Sequence, residues 1–279
     1  MKLMQLLICL ILLPVSGLAQ TRTFNRMVSF TPGGALRVNT DLGSVRLTAW
    51  DRDQVEIVAH IIGRTEQMGT EYAQRAVDAT QIEVTGDAGA LTIRANYDNV
   101  PREKRWGGWN RVLPRIEWEI RAPRRADIEL DTGRSEAEVR GFEGRHRLKL
   151  DRSPLRAADL AGDTRLHIDR GGDSRLRGMR GGLSIEADRT NLTFDELRLT
   201  SDSRVQLDRG HLELGLAPGQ GLHISARRER RTSFRSDLPL TLNPAIIGGD
   251  EDKIEGSING GGPRLALQTD RAQVRLRGN

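Results

Sequence analysis

Five acidic residues recur at one place in a repeated pattern, and stacked carboxylates are the first chemistry to consider. They are Asp131, Asp151, Asp169, Glu186 and Asp208. Each lies near the end of a short segment: IELDTG from Ile128, LKLDRS from Leu148, LHIDRG from Leu166, LSIEAD from Leu183 and VQLDRG from Val205. If such segments stack as parallel strands, equivalent side chains repeat at ~4.8 Å. A carboxylate ladder at that spacing offers the oxygens that calcium takes, about six to eight of them. However, Arg152, Arg170 and Arg209 directly follow three of the acids, so a compensating cation is at hand. The nonapeptide repeat of calcium-binding β-rolls is also missing. Asp bonds nearby backbone N–H groups and favours turns for that reason alone. The acids therefore read as turn residues, and no metal site is assigned.

The other chemistry-bearing residues are sparse. His167 and His223 share the outward phase of their segments but lie three repeat intervals apart, too far for one metal. His60, His146 and His211 lack any ligand spacing such as two His four apart on a helix, so all five histidines read as surface residues. Cys9 is the only cysteine, and it falls in the leader, which leaves no disulfide or thiol nucleophile in the mature chain. Glycoside cleavage would need two carboxylates about 5–9.5 Å apart beside a sugar-binding cleft. Aromatic platforms for a sugar are absent from the repeats, and no Ser-His-Asp, phosphate-loop or dinucleotide motif stands in the right context. The chain reads as non-enzymatic, with no catalytic residue and no cofactor; the alternative is a polysaccharide-acting β-helix enzyme.

One segment stands apart. NVPREKRWGGWNRVLP, residues 99–114, holds Arg102, Lys104, Arg105, Trp106, Trp109 and Arg111, the only aromatic-basic concentration in the chain. It has no periodicity and reads as an exposed loop. Trp beside Arg is favoured at binding hot spots and at membrane surfaces. One reading folds the loop back so that a Trp plugs the side of the fold. The other makes these six residues a binding loop for an envelope protein or for an anionic glycan or lipid surface.

The elements that must position these residues are strands. Ile128, Leu148, Leu166, Leu183, Val205 and Leu222 each begin an apolar–polar–apolar alternation, at intervals of 20, 18, 17, 22 and 17 residues. Alternation marks a strand with one face buried, and a period near 20 residues marks a solenoid. Similar alternation occurs at Leu36–Val38, Val45–Leu47, Val55–Ile57, Ile82–Val84, Leu91–Ile93 and Ile116–Trp118–Ile120, with turns at 33–34, 41–44 and 51–53. Between them, Met68, Tyr72, Ala76 and Ala79 fall at helical spacing with Thr65 as the N-cap, which predicts one helix over 66–79. Leu148, Leu150, Leu166, Ile168, Leu183, Ile185, Val205 and Leu207 are the expected inward-facing core.

Composition bounds the partners. Residues 1–19 read as a signal peptide: Lys2, the apolar run Leu6–Leu13, Pro14, then the small-residue site Gly17-Leu18-Ala19. Ile8 before Cys9 does not suit a lipidation site, and no later stretch approaches ~18 apolar residues, so the mature chain is expected to lack a transmembrane segment. The net charge of +5 arises from 43 Lys and Arg against 38 acids, spread along the whole chain. A nucleic-acid footprint would gather on one face and carry a binding motif, so no nucleic-acid partner is expected. Residues 20–125 form the expected N-terminal strand region with the helix and the loop, and 126–279 the repeat region that continues the same domain.

Three segments together resemble a known family. ALRVNTDLGSVRLTAWDRDQVEIVA, IEWEIRAPRRADIELDTGRSEAEVRGFEG and GSINGGGPRLALQTDRAQVRLRG are similar to the bacterial putative-adhesin family of β-strand-repeat proteins. The resemblance spans about Leu36 to Leu276. It implies an all-β, right-handed β-solenoid or β-helix-like fold. It also implies export, to the periplasm or the cell surface, and an adhesin-like binding or scaffold role. The family motifs are turns and alternations, so they transfer no catalytic residues.

Overall fold

The computed structural model describes residues 20–105, 108–229, 231–242 and 253–278. The expected signal peptide therefore lies outside the described residues. In chain order the elements begin with β1 (Thr21–Ser29), β2 (Ala35–Trp50), β3 (Gln54–Ile62), α1 (Thr65–Ala79), β4 (Gln81–Gly86) and β5 (Ala90–Asn96). A short pair follows, β6 (Glu103–Arg105) and β7 (Gly108–Asn110), then β8 (Arg115–Pro123) and β9 (Asp127–Arg140). The repeats are β10 (His146–Asp151), β11 (Leu155–Ala158), β12 (Thr164–Arg177), β13 (Arg180–Gly181), β14 (Leu183–Leu199) and β15 (Ser203–Leu216). The chain closes with β16 (Leu222–Arg228), β17 (Ser233–Ser236), β18 (Thr241–Leu242), β19 (Lys253–Ile258) and β20 (Arg264–Gly278).

Among the described residues the fold is all-β apart from α1. The repeat segments stack in parallel, because each strand offers an alternating apolar row that only the next rung can cover. Leu130, Leu148, Leu166, Ile185, Val205, Leu267 and Ala226 sit opposite one another in successive rungs. All seven are at most 2% exposed. β2, β9, β12, β14, β15 and β20 each carry two arms, and the second arms build a second column: Val139, Ala157, Leu176, Phe194, Leu214 and Leu276. One continuous apolar core runs from Phe30 to Leu276. All eight expected core residues are buried.

Three expectations need correction. First, the equivalences among segments slip by two residues: Ile185, not Leu183, faces Leu166, and Leu130, not Ile128, faces Leu148. A two-residue shift leaves every side chain on its own face, so alternation alone could not detect it. Second, rungs do not follow chain order at the C-terminal end, where β20 lies between β15 and β16. Third, a plain right-handed solenoid does not describe the whole molecule. β9, β10, β12 and β11 bond in a closed ring with the other strands bonded outside it. Antiparallel strands flank the parallel stack at both ends: β1 on β3 and β3 on β8, then β16 on β19 and β19 on β18.

The helix is present over Thr65–Ala79, but Gly69 breaks it with φ 77° and ψ 169°. Thr65 is the first helical residue rather than the cap; Arg64 holds that position and gives no side-chain cap bond. Turn 41–44 is instead a bend within β2, where Gly43 at φ 131° lets the carbonyl of Ile116 approach; a Cβ there would meet it at 2.0 Å.

Candidate functional site

The corner between the two arms of each rung is the most regular polar feature. Asp151, Asp169, Asp188, Asp208 and Asp270 occupy one position in successive rungs. Each is followed by an arginine in the left-handed backbone region, with φ of 50°, 53°, 50°, 58° and 48° at Arg152, Arg170, Arg189, Arg209 and Arg271. That conformation disfavours residues bearing a Cβ by about 1–2 kcal/mol, so the corner geometry must be held by the stack. Three of the arginines link rungs. Arg170 reaches Asp169 at 2.8 Å and Asp151 at 3.2 Å, Arg209 reaches Asp208 at 2.9 Å and Asp188 at 3.0 Å, and Arg271 reaches Asp208 at 2.9 Å and Asp270 at 3.1 Å. The hydrogen bond that Arg170 donates to the Asp169 carboxylate holds its guanidinium above its ordinary range.

This corner is a charge-neutral zipper in which every acid is paired with an arginine, although Asp270 Oδ1 makes no hydrogen bond. Among the described residues, no group of three or more His, Cys, Asp or Glu is arranged to hold a metal. The zipper differs from the expected ladder in two members. Asp131 and Glu186 belong to another column, with Lys149 and His167 between them, and Asp188 and Asp270 take their places. The two-residue slip explains the exchange. The recurring Asp-Arg dipeptide, rather than the acid alone, was the signal that would have found all five corners.

Buried hydroxyls line the inside of these corners at Ser153, Ser174 and Thr190, and Ser203 plays the same part at the start of β15. Ser153, Ser174, Thr190 and Ser203 accept bonds from the backbone N–H groups of Ser135, Leu155, Gly171 and Leu183 at 3.0–3.1 Å. They satisfy donors that the bend would otherwise leave unpaired.

The histidine expectation fails at one position. His146 is 1% exposed, stacked between Ile128 and Thr164 on the inward face, with Nδ1 3.2 Å from Thr164 Oγ1. Burial pushes its pKa down to about 4, with the Asp127 carboxylate opposing that shift. The position is in phase with Leu148 and Leu150, which is why it turns inward. Above pH ~6.5 the ring is neutral whether the chain is folded or unfolded. As pH falls from there through about 4, the unfolded chain takes up a proton that the folded one resists, so stability is lost across that window. The loss should be on the order of 3 kcal/mol. Urea unfolding at roughly pH 7.5 and pH 4.5 should show it, and His146→Gln should remove most of the difference. An unchanged difference in the variant would assign the pH dependence elsewhere. His167 is exposed, with Nδ1 3.5 Å from Glu186, and His223 and His211 are exposed as well.

The segment 99–114 is more ordered than an irregular loop. β6 and β7 pair antiparallel as a separate two-stranded sheet, Glu103 facing Asn110 and Arg105 facing Gly108. The base of this hairpin is fixed to α1. The Tyr72 hydroxyl donates to the Pro101 carbonyl at 2.8 Å and accepts from the Val112 N–H at 3.0 Å, and Arg75 pairs with Glu103 at 2.7 Å. Val100, Tyr72 and Ala76 form a small buried cluster against which Val112 and Leu113 pack. Of the six candidate binding residues, Arg102 is exposed, and the Arg111 guanidinium is tied to the Asp98 carbonyl at 2.8 Å. Lys104 and Arg105 lie on β6 and Trp109 on β7, and Trp106 lies outside the described residues. No sequence signal marked Tyr72 as the anchor, since it reads as one more helix-face residue.

No family model matches the chain, and no curated protein matches it. Several solved structures are similar in part. One is a putative cell adhesion protein from Clostridium sporogenes, 10% identical, covering 92% of this chain and 100% of that one, with a TM-score of 0.28. A second is a putative adhesin from Bacteroides fragilis, 8% identical, covering 92% and 97%, with a TM-score of 0.41. A third is a putative adhesin from Parabacteroides merdae, 7% identical, covering 91% and 96%, with a TM-score of 0.31. The solved structures similar to this chain are thus described as adhesins or as a cell adhesion protein, at low identity.

Proposed function

We propose that this chain is an exported, non-enzymatic binding scaffold of the bacterial envelope, adhesin-like in role, and that the hairpin at 99–114 is one of its contact elements. Its parallel rungs are read as one domain with the N-terminal strands, wound right-handed as parallel crossovers generally are. The observation that carries the reading is the hairpin's attachment. It is anchored by Tyr72 at its base yet pairs with no strand of the large sheet. A long connection of this kind inside a regular fold is commonly functional, and a rigid base under an aromatic-basic sequence limits the entropy lost on binding. The stack itself supplies stiffness, and its corner acids are occupied by arginines rather than left open for chemistry.

The test is a double substitution, Trp106→Ala with Trp109→Ala. The melting temperature and circular dichroism should stay close to the parent's, and retention on isolated envelopes should fall. Unfolding of the variant would make the tryptophans core plugs. A folded variant retained as well as the parent would remove the hairpin from the binding surface.

A further inference from the structure

We propose that the outer face of the first arms carries a second site, a cationic groove that binds a segment of anionic polysaccharide. The corner zipper neutralises one edge of that face. Two rows away the outward column reads Arg37, Glu129, Arg147, Arg165, Ser184, Arg204, Ala266 and Ser225. Glu129 pairs with Arg37 at 3.0 Å and lies 3.9 Å from Arg147. Arg165 and Arg204 have no ion-pair partner among the described residues, and both are exposed. They flank the short side chain of Ser184, two strand spacings or about 9.6 Å apart.

Two adjoining concavities cover this row, of 520 and 590 Å³, and they share Leu183, Ser184 and Asp202. The second is walled by Arg204, Arg227, Lys253 and Arg264, with Asp202 as the one lining carboxylate among the described residues. One Asp202 oxygen already accepts the Arg264 backbone N–H at 2.9 Å, and Lys253 is paired with Glu255 at 2.6 Å. Arg227 has no ion-pair partner among the described residues, and the Arg264 guanidinium bonds Ser225 at 3.2 Å and lies in the field of the Glu255 carboxylate. Ser184, Ser225 and Gln268 add neutral hydrogen-bonding groups to the lining.

The chemistry selects the ligand. Guanidinium forks bind carboxylate or sulfate groups in bidentate fashion, and hydroxyls and amides suit a hydroxylated chain. Among the described residues no Trp, Tyr or Phe lines either concavity, and the one ring there, His146, is buried, so the base stacking that single-stranded nucleic acid requires is missing. A flat anionic bilayer would rest on the charge-neutral corner zipper as well as on the row, with little gain from the zipper. The first concavity is also lined by Asp127, Glu129 and Asp163, so a narrow anionic chain is best matched at the Arg165–Arg204 stretch and the second concavity. This site is separate from the hairpin, so its failure would leave the hairpin reading standing.

The test uses the mature chain with dextran sulfate and polygalacturonate as probes and neutral dextran as control. Dextran sulfate and polygalacturonate should bind with an affinity that falls as salt rises, and neutral dextran should not. Arg165→Ser with Arg204→Ser should weaken binding about tenfold or more. Ser184→Glu, which sets a carboxylate between the two arginines, should do the same without removing a cation. Arg175→Ser, an exposed arginine on the second arm without an ion-pair partner among the described residues, should leave binding unchanged. Circular dichroism confirms that each variant is folded, and if the double variant melts early the Ser184→Glu result decides. The proposal is overturned if neither anionic glycan binds, if Arg175→Ser weakens binding as much as the double variant, or if oligo(dT) or phosphatidylglycerol vesicles bind more tightly than both glycans.

Discussion

Leu166→Ala should lower the unfolding free energy by about 2–5 kcal/mol, whereas His167→Ala beside it should change stability by less than about 0.5 kcal/mol. Leu166 is 1% exposed and lies between Leu148 and Ile185 in the first-arm column. Backbone hydrogen bonds fix the rungs above and below, so they cannot close toward the missing side chain. The cavity therefore persists, which places the expected cost within the range for poorly collapsing sites. His167 points outward on the next residue and touches solvent and Glu186. Urea unfolding of the two variants gives the comparison directly. Equal effects at the two positions would mean that inward and outward faces have been wrongly assigned.

Much of this architecture was legible from alternation. The period of two separated Leu148, Leu150, Leu166 and Ile168 from the polar residues between them, and every one of these is buried. His146 carries the same phase, and that position, not its residue type, sets it on the buried face. What alternation could not supply was register. A strand slipped by two residues keeps its faces, so the IELDTG and LSIEAD segments looked equivalent to LKLDRS while standing two residues out of step. Spatial order was equally hidden, because β20 enters between β15 and β16 through contacts far apart in the chain. The segment 99–114 lacked a strand signal since β6 and β7 are only three residues each. Its anchor, Tyr72, reveals its role only once α1 and the hairpin base are brought together. The corner arginines are half visible in the sequence: three of five directly follow an acid of the repeated pattern, and their left-handed backbone follows from the bend rather than from any preference of arginine.

Register is the claim on which the corner zipper, the apolar columns and the cationic row all depend. Ser184 faces Arg204 in the structure, whereas the segment alignment read from sequence sets Ser184 opposite Gln206. Facing residues of adjacent parallel strands lie ~4.8 Å apart, within the span of about 4.4–6.8 Å that a disulfide bridges. A two-residue offset lengthens the separation to about 8 Å, beyond that span. With Cys9 removed, the chain offers no competing thiol. The decisive measurement is intrachain disulfide formation under mild oxidation in two double-cysteine variants. Ser184→Cys with Arg204→Cys should cross-link in the folded chain, and Ser184→Cys with Gln206→Cys should stay reduced. Cross-linking of the second pair and not the first would contradict the register and, with it, the row of cations proposed to line the groove.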